Sequence, residues 1–177
     1  LIMKELIVRG LAKRVLIVCP ASLREQWQDE LREKFHEDFE LVVRGTDDMA
    51  ADLLIISRNL ATREVERITK KRWDLVIVDE AHLMTGPNAR KSRDLLQRLD
   101  SRYALYLTAT PVQNDLLELY RLVDSLRPGT FTSQRDFSNR FMGSNPREPK
   151  NPQALRELIS DVMVRTTRAQ AGLDRVA

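Results

Sequence analysis

The sequence predicts a three-layer α/β protein, a mostly parallel sheet between two layers of helices. Short continuous apolar runs alternate with longer amphipathic segments, the order of strands joined by crossover helices. The runs are Val15 to Cys19, Leu53 to Ser57, Leu75 to Val78 and Ala104 to Thr108, with a weaker one at Leu41 to Val43. They lack polar alternation, so both faces of the sheet are expected to be covered, as in doubly wound folds.

Taken in order, residues Leu1 to Leu11 open directly in helical periodicity without a capping residue, which reads as a cut within a longer protein. Lys4, Glu5 and Arg9 interrupt the apolar residues there, unlike a targeting signal. A helix is expected from Leu23 to about Phe35, with Leu23, Trp27, Leu31 and Phe35 on one stripe and Ser22 and Glu25 forming a capping box. On that stripe Trp27 reads as core. Further helices are expected at Leu60 to Lys71, Ala89 to Leu99 and Leu116 to Leu126. Arg127-Pro128-Gly129 ends the last of these. Residues 1–126 thus form the α/β domain, and 127–160 a helical insertion with a small core of Phe131, Phe137 and Phe141. Within the insertion a helix is expected from Pro152 to Ile159, and residues 161–177 are expected to hold a final strand, from Asp161 to Arg165, and a connection onward.

Composition narrows the class. The 177 residues are 42% hydrophobic and 31% charged, enough apolar material for a core and too much for a disordered tail. A single cysteine, Cys19, excludes a disulfide scaffold. No run approaches the roughly 20 apolar residues of a membrane span. Net charge is only +3, and the surplus lies after Leu126: residues 1–126 carry 20 basic and 21 acidic side chains, residues 127–177 carry 9 and 5. A reducing compartment and no membrane partner are expected.

In open parallel sheets ligands bind at the carboxyl ends of strands. There the run Leu75 to Val78 delivers Asp79-Glu80-Ala81-His82. One carboxylate of such a pair can hold magnesium, a hard cation that prefers oxygen, while the other orients and deprotonates a water for attack on a phosphate. The pair can equally cap the following segment. The strand ending Tyr106-Leu107-Thr108 leads into Ala109-Thr110-Pro111-Val112-Gln113-Asn114, and Val18-Cys19 leads into Pro20-Ala21-Ser22 before a helix. A helix N-terminus of that kind suits backbone contacts to phosphate.

These three segments resemble the superfamily-2 DExx-box helicases, and within them the Swi/Snf-type double-stranded DNA translocases, in compact bacterial-like form. Asp79 to His82 resembles motif II, Cys19 to Leu23 with Gln26-Trp27 motif Ia, and Leu107 to Pro111 with Gln113-Asn114 motif III. Leu126 to Gly129 and Met163 to Arg168 resemble the same branch. The resemblance implies a RecA-like P-loop NTPase lobe that uses ATP and Mg2+. It implies that Asp79 helps hold the metal, Glu80 activates water and His82 couples the nucleotide site to motif III. Thr108, Thr110, Gln113 and Asn114 would relay nucleotide state. Pro20, Ala21 and Ser22, with Ser57 and Arg58, would lie along a DNA strand, contacts that read backbone and not sequence. Read as residues alone, His82 is equally a satisfied surface histidine, and Gln113 and Asn114 equally helix caps.

The implied partners are double-stranded DNA, a second helicase lobe and a protein complex such as RNA polymerase. The implied location is the cytoplasm, on the nucleoid. No Gly-x-x-x-x-Gly-Lys-Ser/Thr occurs, so the phosphate loop (Walker A) and its strand are expected upstream of Leu1, and the fragment alone is expected to be inactive. Alternatives of the same sequence pattern are the lobe of an RNA helicase or of a restriction-type translocase, and a non-catalytic nucleic-acid or partner-binding module derived from one.

Overall fold

The computed structural model describes residues 1–86, 88–112 and 114–164. Helix α1 (Ile2–Val8) precedes β1 (Val15–Cys19), the 3-10 turn Ala21–Leu23, α2 (Arg24–Phe35), β2 (Glu40–Val42) and β3 (Leu53–Ser57). Two single-turn helices, α3 (Arg58–Ala61) and α4 (Val65–Ile68), lead to β4 (Trp73–Val78), then α5 (His82–Thr85), α6 (Arg90–Arg98) and β5 (Ser101–Tyr106). The strands form one wholly parallel sheet in the order β2-β3-β1-β4-β5. This is the expected α/β architecture.

β1 lies between β3 and β4, and every residue of its run Val-Leu-Ile-Val-Cys is buried. Val15, Ile17 and Cys19 face a cluster with Met3, Leu31, Ile55 and Ile77, so α1 and α2 cover that face. The alternate residues Leu16, Val18, Leu54, Ile56 and Val76 are buried too. Right-handed crossovers from β3 to β4 and β4 to β5 run in the opposite sense to that from β1 to β2, which places α3 to α6 on the second face. Asp74 ties the opening of β1 to β4: its Oδ2 accepts hydrogen bonds from the backbone N–H of Lys13 and of Arg14, both at 2.8 Å. Those two bonds, chiefly, hold the Asp74 carboxyl below its usual range.

Several expectations shift. β5 starts at Ser101 and ends at Tyr106, and alternate residues Arg102 and Ala104 are exposed. Two-sided cover therefore holds for β1, β3 and β4 but not for this edge strand. The helix expected over 60–71 is two turns. Its buried positions Ala61, Val65 and Ile68 keep helical spacing, yet Thr62 Oγ1 donates to Asn59 O at 3.0 Å, a local bond that competes with helix continuation. The capping box at Ser22 does not form. Pro20 sets a 3-10 turn closed by Leu23 N to Pro20 O at 3.0 Å, and α2 starts after Leu23 with no side-chain cap.

The chain divides into two compact units, Leu1–Gln113 and Asn114–Ala177. The compositional change at Leu126 falls inside the second, at the end of α7 (Leu116–Leu126). Asp115 caps α7 by accepting from Glu118 N. Ser133 caps α8 (Gln134–Phe141) through Asp136 N, and α9 (Pro152–Ile159) begins with proline at its first turn. Phe131, Phe137 and Phe141 are buried as expected, and Tyr120 joins them: its ring centroid lies 5.4 Å from Phe131 and 5.3 Å from Phe137. Residues Asp161 to Val164 form a turn and coil in place of the expected strand, because the amides of Val162 and Met163 both bond back to Ile159 O. Arg165 onward, including most of the Met163 to Arg168 segment, lies outside the described residues.

Candidate functional site

From β1 the chain leaves towards β2 on one side of the sheet, and from β4 towards β5 on the other. The sheet therefore reverses between β1 and β4, and a crevice opens at their carboxyl ends. A cavity of about 90 Å³ lies there, lined by Pro20, Ala21, Arg58, Asn59, Asp79, Glu80 and Leu83. Residues that follow β1, β3 and β4 thus meet at one place, although up to 63 positions separate them.

The acidic pair is held by backbone as much as by side chains. Asp79 N donates to Val18 O at 2.8 Å, fixing the end of β4 against β1. Asp79 Oδ1 accepts from Glu80 N at 2.9 Å. Glu80 itself has φ +48°, a left-handed conformation that costs a non-glycine residue of order ~1 kcal/mol and persists only where its surroundings over-determine it. Here Ala81 N to Leu107 O and Leu83 N to Glu80 O, both at 2.9 Å, do so. Both Asp79 and Glu80 line the cavity.

His82 Nδ1 lies 2.9 Å from Thr108 Oγ1, a hydrogen bond whose direction follows the imidazole tautomer. Thr108 Oγ1 also accepts from Thr110 N at 3.2 Å. The same His82 nitrogen is 3.3 Å from Glu80 Oε2, but its hydrogen bond goes to Thr108, and Glu80 Oε2 is buried without a donor. A buried carboxylate oxygen in that condition is suited to a water or to a reacting group. Among the described residues no three His, Cys, Asp or Glu cluster as a metal cage. A divalent ion at this place would be held by Asp79 together with water and phosphate oxygens, the sharing that magnesium favours. The carboxylate chemistry fits that ion.

The remaining sequence-predicted residues fall as follows. Pro20 is half-buried, and Ala21 and Ser22 are exposed on the turn before α2. Ser57 is buried and its Oγ accepts from Leu60 N as the cap of α3, so it serves the backbone, and Arg58 and Asn59 are what β3 presents to the cavity. Arg58 Nη1 donates to Leu83 O at 3.1 Å. Asn114 belongs to the second unit, where its N and Nδ2 both donate to the Glu118 carboxylate at the start of α7. Gln113 lies outside the described residues. Cys19 is buried at the end of β1, and burial first, then the Asp79 carboxylate, push its thiol up to about 12. It is a neutral packing group.

Trp27 is the residue sequence reading missed. Its indole Nε1 donates to Asp79 Oδ2 at 2.9 Å across 52 positions. The one available signal was chemical: a half-buried indole usually finds a partner for its N–H.

A parallel sheet that reverses between β1 and β4, with two carboxylates after the carboxyl end of β4, defines an α/β protein of the doubly wound class. Residues 2–174 match the SNF2-related domain, and the chain belongs to that family. It is 36% identical over 176 residues to YqhH of Bacillus subtilis, named as an uncharacterized ATP-dependent helicase, covering 98% of this chain and 31% of that protein. It is 34% identical over 137 residues to the TATA-binding protein-associated factor mot1 of Aspergillus fumigatus, covering 71% of this chain and 7% of that one. In fold it resembles the Sulfolobus solfataricus SWI2/SNF2 ATPase core in complex with dsDNA, with a TM-score of 0.81 at 22% identity, covering 97% of this chain and 37% of that chain. The chain thus spans about a third or less of each of these relatives. No helix among the described residues is long and apolar enough to cross a membrane.

Proposed function

We propose that this chain is the first motor lobe of an ATP-dependent double-stranded DNA translocase that remodels protein–DNA complexes. The observation that carries the reading is the placement of Asp79 and Glu80 at the switch-point cavity, with Glu80 Oε2 buried and lacking a donor. Glu80 is the base that orients and deprotonates the attacking water, and Asp79 holds the metal. Bound magnesium supplies charge neutralisation on the phosphates. His82 and Thr108, joined at 2.9 Å, link the end of β4 to the segment after β5, and Thr110 is tied to that link through its own N–H. Gln113 and Asn114 follow Thr110 in sequence as the remaining coupling candidates. Ala21 and Ser22, with Pro20 and Arg58, supply contacts to the nucleic-acid backbone, and Ser57 supports them by capping α3. The phosphate loop and a second lobe belong to the rest of the full-length protein, which acts on DNA in the cytoplasm, on complexes such as that of RNA polymerase.

The test is made on the full-length protein. Its ATP turnover should rise several-fold with double-stranded DNA and far less with single-stranded DNA or RNA, and it should displace a third strand from a triplex without separating a duplex. Stimulation by RNA alone would replace this reading with that of an RNA helicase, and duplex unwinding would replace it with that of a strand-separating helicase.

A further inference from the structure

We propose that Trp27 is a positioning residue for Asp79: its indole N–H fixes the carboxylate in the orientation that receives the divalent cation. The inference rests on the assignment of Asp79 to the metal made above. Asp79 Oδ2 accepts from Trp27 Nε1 at 2.9 Å and Oδ1 from Glu80 N at 2.9 Å. One hydrogen bond per oxygen fixes the carboxylate plane, and each oxygen keeps a lone pair for an ion or its water. The donor is half-buried and lines, with Asp79, a cavity of about 270 Å³ beside α2. Trp27 lies in the first turns of α2 and packs against the buried cluster that contains Cys19, Leu31 and Ile77, and that packing holds one face of the ring. The other tryptophan, Trp73, spends its N–H on Ile68 O within the core and shows the contrast. A purely structural indole on this stripe needs only a backbone carbonyl, whereas Trp27 reaches past the end of β1 to the acidic strand end of β4.

The experiment uses the full-length protein with Trp27→Phe, which keeps an aromatic ring and removes the N–H, with Asp79→Ala, and with both. The readout is the Mg2+ concentration at half-maximal binding of a non-hydrolysable ATP analogue, followed by calorimetry. Trp27→Phe should raise that midpoint by about tenfold, the size expected for losing a hydrogen bond to a charged group. It should add less than twofold on top of Asp79→Ala, because its effect passes through that carboxylate. A shift for Asp79→Ala with none for Trp27→Phe overturns the role of Trp27 and leaves the metal assignment standing. No shift for either overturns both. Equal, additive shifts overturn it as well. As a check that does not depend on the Trp27 variant folding, the Trp27 indole resonance in 15N-tryptophan-labelled protein should move on Asp79→Ala, and an unmoved resonance contradicts the proposal.

Discussion

Replacing Thr108 by Val keeps the shape of the side chain and deletes its hydroxyl. Two hydrogen bonds go with it, one shared with His82 Nδ1 at 2.9 Å and one from Thr110 N at 3.2 Å. Thr110 is exposed and water replaces that partner, so the loss is concentrated on His82, whose side chain is only 14% exposed. A neutral hydrogen bond of this kind is worth about 1 kcal/mol net, close to a fivefold change in an equilibrium. Freed of Thr108, His82 Nδ1 is already 3.3 Å from Glu80 Oε2, and in the tautomer that carries its proton on Nδ1 it pairs with that oxygen. The expected result is a drop of about fivefold in the ratio of DNA-stimulated to basal ATP turnover of the full-length protein. His82→Ala should lower the ratio by a similar factor, and the double variant should be no worse than either single one, because both changes remove the same link. Additive losses, or a basal rate that falls while the ratio stays constant, would refute a coupling role for the pair.

Cys19 and Asp74 carry further outcomes of the fold. Cys19, buried with its thiol pushed up to about 12, should be alkylated at pH 8 far more slowly in the native protein than in urea; equal rates would contradict its burial. Its folded value lies above the usual 9.0, so the stability it contributes is complete below pH 9.0 and is lost as pH rises towards 12, which a Cys19→Ala comparison reads. Asp74→Ala removes the hydrogen bonds from the amides of Lys13 and Arg14 and should cost about 1–3 kcal/mol in urea denaturation. Because the Asp74 carboxyl sits below its usual 3.8, its contribution is present above that pH and disappears as pH falls through the lowered value, so the variant's deficit should vanish in acid. A pH-independent deficit would deny the role of the carboxylate.

The central strands were legible because burial on both faces demands continuous apolar runs, and Val15 to Cys19 is such a run. The position of the acidic pair was legible too, since β4 leads directly into Asp79 and Glu80. What was not legible depended on contacts remote in sequence or on competing local bonds. Nothing in the helical stripe of Trp27 indicates that its N–H meets Asp79, because that meeting exists only once β1 and β4 are neighbours. Similarly, periodicity placed Ala61, Val65 and Ile68 correctly but could not see the hydroxyl of Thr62 closing on Asn59 O. At β5 the apolar run was read as buried on both faces, and the edge position of that strand decided otherwise.

The central claim is that Glu80 activates water at the switch-point cavity. Glu80→Gln keeps the size of the side chain and a hydrogen-bonding oxygen while removing the base. In the full-length protein the account predicts that single-turnover ATP hydrolysis falls by roughly 100-fold or more, with ATP affinity unchanged within about twofold. Hydrolysis at a near-normal rate, with ATP bound as tightly as before, would contradict it.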